Sequence, residues 1–81
     1  MSPAEICQRI ESSLPGAEVR VASEDGVHFN ALVVAPQFEG LRAIARHQLV
    51  YRALGEAMGG AIHALSLDTP TPAEWAKRAA R

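Results

Sequence analysis

Three histidines and one cysteine are the side chains of this chain best suited to hold or transfer something. His63 stands near the entrance of an apolar run, Ala61-Ile62-His63-Ala64-Leu65-Ser66-Leu67, and a helix start signal, Thr71-Pro72-Ala73-Glu74-Trp75, follows almost at once. An imidazole on a rigid strand beside a helix start is a titratable, metal-competent group whose geometry is fixed. The same pattern suits a buried histidine satisfied by a backbone carbonyl, and on the strand alone that structural reading stands ahead. His28 opens a second apolar run, Val27 to Val34, and lies near His63 if the two strands pair in parallel from matched starts. Two imidazoles at neighbouring strand entrances are half of a metal site, of the kind that leaves its other positions to a partner. A solvated strand start is the simpler account of His28, and a surface place on a basic helix face the simpler account of His47. Cys7 falls at the margin of an apolar helical stripe and reads as a small core residue, since a reactive thiol needs a cationic neighbour or a helix N-terminus and only the helix start is nearby.

Other chemistry finds little support. There is no Gly-x-Ser-x-Gly elbow, no His-x-x-x-His pair and no Gly-rich phosphate loop, so catalysis is not expected. Asp68, just past the third strand, is accounted for by turn formation before Thr69-Pro70. The net charge of −1 offers no general attraction to nucleic acid, but the acids Glu5, Glu11, Glu18, Glu24 and Asp25 fall in the first half of the chain. Most of the cations fall in the second half, which leaves a local basic patch open. Arg42, Arg46, His47, Lys77 and Arg78 are its candidate phosphate contacts, although for each the solvated-face reading stands ahead.

The elements that must position these residues are legible from periodicity. The 81 residues, 48% of them hydrophobic, suit a single domain over residues 1–81 that folds alone. One cysteine excludes an internal disulfide. No segment reaches the roughly 18–20 apolar residues needed to span a bilayer, and neither a basic leader nor a signal-length apolar stretch opens the chain, so a cytoplasmic location without membrane contact is expected. Ser2-Pro3-Ala4-Glu5 and Thr71-Pro72-Ala73-Glu74 both read as capping boxes with Pro at the first helical position. Ile6, Ile10 and Leu14 form the apolar stripe of the first helix, which Pro15-Gly16 ends. Val19 and Val21 alternate with Glu18 and Arg20 in a half-buried strand, and Ser23-Glu24-Asp25-Gly26 turns it into a second strand, apolar on both faces at its end and therefore central. Pro36-Gln37-Phe38-Glu39-Gly40 reads as a loop with an exposed aromatic. A long helix runs from about Leu41 to Met58, with Ile44, Val50, Leu54 and Met58 on its buried side, Tyr51 at the margin, Arg42 and Arg46 on another face, and Gly59-Gly60 as its end. The order is αββαβα, an α+β fold in which a three-stranded mixed sheet carries helices packed on one face, with a right-handed parallel crossover.

Phe38-Glu39-Gly40, Arg46-His47-Gln48-x-Val50-Tyr51, Ile62-His63-Ala64-Leu65-Ser66 and Thr71-Pro72-Ala73-Glu74-Trp75 closely resemble, in order and spacing, the motifs of the BolA family. The resemblance covers nearly the whole chain and implies a fold similar to class II KH domains. It further implies a role in iron homeostasis or iron–sulfur trafficking, in which a monothiol glutaredoxin partner and this chain hold a bridged [2Fe-2S] cluster between them, with His63 matching the family's cluster ligand. A neutral imidazole in place of thiolate changes the charge and potential of such a centre. Members with a longer first hairpin loop carry a second ligand there, Cys or His. Here Glu24-Asp25-Gly26-Val27 is short and contains neither, so the chain resembles the short-loop subgroup, with His28 the nearest candidate for a second ligand. The resemblance also implies an alternative, a DNA-binding transcriptional regulator, although Gly40 alone does not make the Gly-x-x-Gly loop of KH domains. A weak homodimer of the free chain is left open.

Overall fold

The computed structural model describes residues 1–60, 62 and 64–80. Its elements are α1 (Pro3–Ser13), β1 (Glu18–Ala22), β2 (His28–Val34), α2 (Ala43–Leu54), β3 (Ala64–Asp68) and α3 (Pro72–Ala79), with 3-10 turns at Pro36–Phe38 and Gly55–Ala57. The expected αββαβα order holds. β2 is central, antiparallel to β1 and parallel to β3. β3 begins at Ala64 and takes in Asp68, which ends the strand instead of following it. No helix among the described residues is long and apolar enough to cross a membrane.

Strand alternation sorts the sheet into two faces. Phe29, Ala31 and Val33 point into the core, joined by their cross-strand neighbours Val19, Val21, Leu65 and Leu67. Ile6, Ile10 and Leu14 of the first helical segment and Val50 and Leu54 of α2 close over this face. Each fully buried Ile, Phe or Leu is worth about 1.5–3 kcal/mol by burial alone, so this layer outweighs any single cap or ion pair. His28 and Asn30 face the other way and are exposed. α3 buries no residue and is held by polar contacts at the end of β3.

Several local expectations are corrected. Phe38 is fully buried, because the Pro36–Phe38 turn folds the chain back under the sheet; there the Ala35 amide donates to the Pro70 carbonyl at 3.3 Å. α2 ends at Leu54, four residues before the predicted Met58, since Gly55 takes φ +56°, a conformation that L residues avoid. Ile44 is 71% exposed. At 100° per residue it lies about 120° around the helix from Val50, whereas Arg46, Val50 and Leu54 run along one line. Arg46, expected on another face, therefore occupies the inner stripe, and its side chain is only 15% exposed. The second capping box is complete, with Thr71 Oγ1 accepting from the Glu74 amide and Glu74 Oε1 accepting from the Thr71 amide. The first is half of one: Ser2 Oγ accepts from the Glu5 amide, but the Glu5 carboxylate takes the Ser2 hydroxyl and not the Ser2 amide.

Candidate functional site at the sheet entrance

The parallel register sets His28 opposite Ala64, Phe29 opposite Leu65 and Asn30 opposite Ser66. His28 therefore stands at one end of the sheet, beside the residue that follows His63 in the chain. His63 itself lies outside the described residues, and so does Ala61.

The hairpin turn that carries His28 is organised by two side chains. Ser23 Oγ accepts from the Gly26 amide at 2.9 Å and lies 2.6 Å from the His28 carbonyl, to which it donates. Asp25 Oδ1 accepts from the amides of Val27 and His28 at 2.9 and 2.8 Å, and Asp25 Oδ2 lies 2.6 Å from His28 Nδ1. Gly26 supplies the φ of +76° that the turn requires. The His28 ring, with the two amides behind it, holds the Asp25 carboxyl far below the usual carboxylate range. The His28 side chain is 71% exposed, so it is oriented yet open to solvent. Among the described residues, no three His, Cys, Asp or Glu side chains group to hold a metal ion. What the hairpin offers is a single aimed imidazole, which suits a centre completed by other donors.

Cys7 is not one of those donors. Its sulfur lies 2.8 Å from Glu11 Oε1 and 3.4 Å from the Val19 carbonyl oxygen. The hydrogen bond to Glu11, aided by burial and by the charge of Glu11, pushes the thiol up to about 11, so it stays protonated and unreactive at neutral pH.

The basic candidates collect at the opposite end, around a groove of about 570 Å³ lined by Arg46, His47, Asp68, Thr69, Glu74 and Arg78, among others. Most of its charge is already matched. Arg46 donates to the carbonyls of Leu41 and Thr69 at 2.8 and 2.9 Å and to Glu74 at 2.6 Å. Arg78 pairs with Asp68 at 2.8 Å, and its guanidinium sits 5.9 Å from the centre of the Trp75 ring. His47 is half-buried, edge-on to Tyr51 with ring centroids 6.5 Å apart. Arg42 and Lys77 are exposed and make no ion pair among the described residues. The structure thus brings Arg46, His47 and Arg78 together, sets Arg42 at the cap of α2, and puts His28 at the far end of the sheet. Asp25 as the partner of the His28 ring was not foreseen. The signal was present in Asp25-Gly26-Val27-His28, a turn aspartate three residues before a histidine that enters a strand.

Comparison with known proteins converges on one family. Residues 8–74 match the family model described as BolA-like protein. The acid stress protein IbaG of Escherichia coli is 38% identical, over 95% of this chain and 92% of its own length. Human BolA-like protein 1 is 37% identical over 89% of this chain, which spans only 59% of that protein, and the other mammalian relatives are likewise longer. The DNA-binding transcriptional regulator BolA of Vibrio cholerae is 46% identical over 59% of this chain and 45% of its own length. Among solved structures, a bolA protein homologue from Coxiella burnetii superposes with a TM-score of 0.77 at 50% identity, over 94% of this chain and 97% of that one.

Proposed function

The chain belongs to the BolA-like family, and on that premise we propose that it is a non-enzymatic adaptor that pairs with a monothiol glutaredoxin and co-ligates a bridged [2Fe-2S] cluster. The observation that carries this reading is the β2–β3 register, which sets an oriented, exposed imidazole opposite the residue next to His63. His63 is the ligand that the family resemblance assigns. The donor chemistry fits: neutral imidazole nitrogens are competent iron ligands, and the remaining positions fall to the partner's sulfur. Too few donors on this chain is a requirement of such an arrangement, since a complete site would retain the group instead of sharing it. When bound, the group would supply a transferable iron–sulfur unit; the chain's part is to present nitrogen from the end of the sheet where β2 begins.

Anaerobic reconstitution with a monothiol glutaredoxin tests this. A coloured heterodimer is expected, and His63→Ala should keep the far-UV circular dichroism of the wild type while altering the visible spectrum and hastening loss of colour. Failure of the wild type to associate, or a variant spectrum identical to the wild type, would sink the proposal.

The second reading, a DNA-binding regulator, draws on the function named for the Vibrio relative and on the exposed cations Arg42 and Lys77. Arg46 is a poor phosphate contact because its guanidinium is occupied. Replacing Arg42 and Lys77 by Ala should lower the slope of log affinity against log salt by about two if both touch phosphate. An unmoved slope leaves them as solvated charges.

A further inference from the structure

The geometry points to Asp25 as a positioning residue that fixes the tautomer of His28 and leaves Nε2 of that ring as this chain's second nitrogen donor. An ionised carboxylate can only accept hydrogen bonds, so the 2.6 Å contact between Asp25 Oδ2 and His28 Nδ1 requires the proton on Nδ1. In the neutral ring Nε2 then carries the free lone pair. Asp25 is the one hydrogen-bond partner of the ring among the described residues.

The carboxylate is itself immobilised. Its other oxygen is held by the amides of Val27 and His28, and the turn beneath it is closed by Ser23 on the Gly26 amide and the His28 carbonyl. An aspartate serving only as a turn former would need Oδ1 alone; Oδ2 is turned to the ring. The register then places this ring at the start of β2, opposite Ala64 and so one residue from the chain position of His63. A histidine that ligates metal commonly donates its second nitrogen to a carboxylate, which sets the ring's orientation and raises its basicity. The arrangement gives a short hairpin what a longer loop would otherwise bring: a donor beside the β3 entrance. The identity of the metal group rests on the adaptor reading; the tautomer does not.

Imidazole ¹⁵N–¹H correlation spectra of the metal-free chain, taken at pH 8 where a free imidazole with pKa about 6.5 is neutral, decide the point. Wild-type His28 should be protonated on Nδ1. Asp25→Asn keeps an oxygen for the two backbone amides but offers an NH₂ to Nδ1, so His28 should move to the Nε2-protonated form while His47 stays unchanged. A wild-type His28 protonated on Nε2 would overturn the assignment without any variant, and a tautomer unmoved by Asp25→Asn would do the same. In the reconstituted heterodimer, Asp25→Asn and His28→Ala should each shorten the lifetime of the colour by about tenfold or more. Lifetimes unchanged in both, beside a shortened one in His63→Ala, would remove His28 as a donor and leave the adaptor reading standing. A wild type that takes up no cluster would remove the adaptor reading and the donor role together, while the spectra of the free chain still decide whether Asp25 sets the ring.

Discussion

Two side-chain contacts of the same length sit at opposite ends of this sheet and do different work. Asp25 and His28 meet at 2.6 Å with 51% and 71% of their side chains exposed, and Arg46 and Glu74 meet at 2.6 Å with the arginine 15% exposed. The first pair aims a ring at solvent. The second clamps: Arg46, in the first turn of α2, ties the segment before that helix, through the Leu41 carbonyl, to the residue after β3, through the Thr69 carbonyl, and to α3 through Glu74. Distance alone does not tell these roles apart. What differs is how much backbone each pair spans and how far it lies from water, and so how much of its strength the solvent screens.

The contrast can be broken at its strong end first. Arg46→Ala strips two carbonyls and Glu74 of their donor and should cost about 2 kcal/mol, read as a lower denaturation midpoint at unchanged slope. Loss of no more than a few tenths would mean that the clamp is a surface pair like any other. Next in size, Thr71→Ala removes the acceptor from the cap of α3 and should cost about 1 kcal/mol in the same assay. Acid sharpens the comparison further. The Arg46 guanidinium, with the Thr71 amide, holds the Glu74 carboxyl at about 2, below its usual 4.5. A depressed folded pKa gives stability that is present above 4.5 and lost as the pH falls toward 2, so Glu74→Gln should flatten the acid limb of a stability–pH curve. The smallest effect is expected at the other end, where His28→Ala should leave the denaturation midpoint at neutral pH close to wild type because the side chain is 71% exposed. A large drop there would make His28 a structural residue and not a presented one.

The same two regions show what a sequence reveals and where it stops. Turn chemistry is local, so Ser23-Glu24-Asp25-Gly26 predicted the hairpin, and a strand end apolar on both faces placed β2 at the centre. The cap of α3 was equally plain in Thr71-Pro72-Ala73-Glu74. Arg46 was misplaced because hydropathy gives an arginine no claim on an inner stripe, although its four-residue spacing to Val50 and Leu54 put it there; the partners that make burial tolerable come from β3 and α3, far away in sequence. Ile44 was misplaced by the converse error, hydrophobicity counted without phase. Phe38 was read as exposed because its loop looked polar, but a chain of this length has few large side chains to fill its core and uses both phenylalanines. Of the candidate site, the pairing of β2 with β3 was foreseen, and the carboxylate behind His28 was not, since a turn aspartate has a sufficient backbone role without it.

The parallel pairing of β2 with β3 also has a consequence for the order in which the molecule assembles. The β1–β2 hairpin closes through a short local turn and can form early, whereas β3 must wait until the chain has passed through α2 and come back along the sheet. β3 is an edge strand with a single neighbour, so its amides should exchange with solvent ahead of those of β2. Anything gripped between the hairpin and the entrance of β3 would then be the last contact completed in folding and the first released when that edge opens, and handing it to another protein would take only the local melting of one short strand.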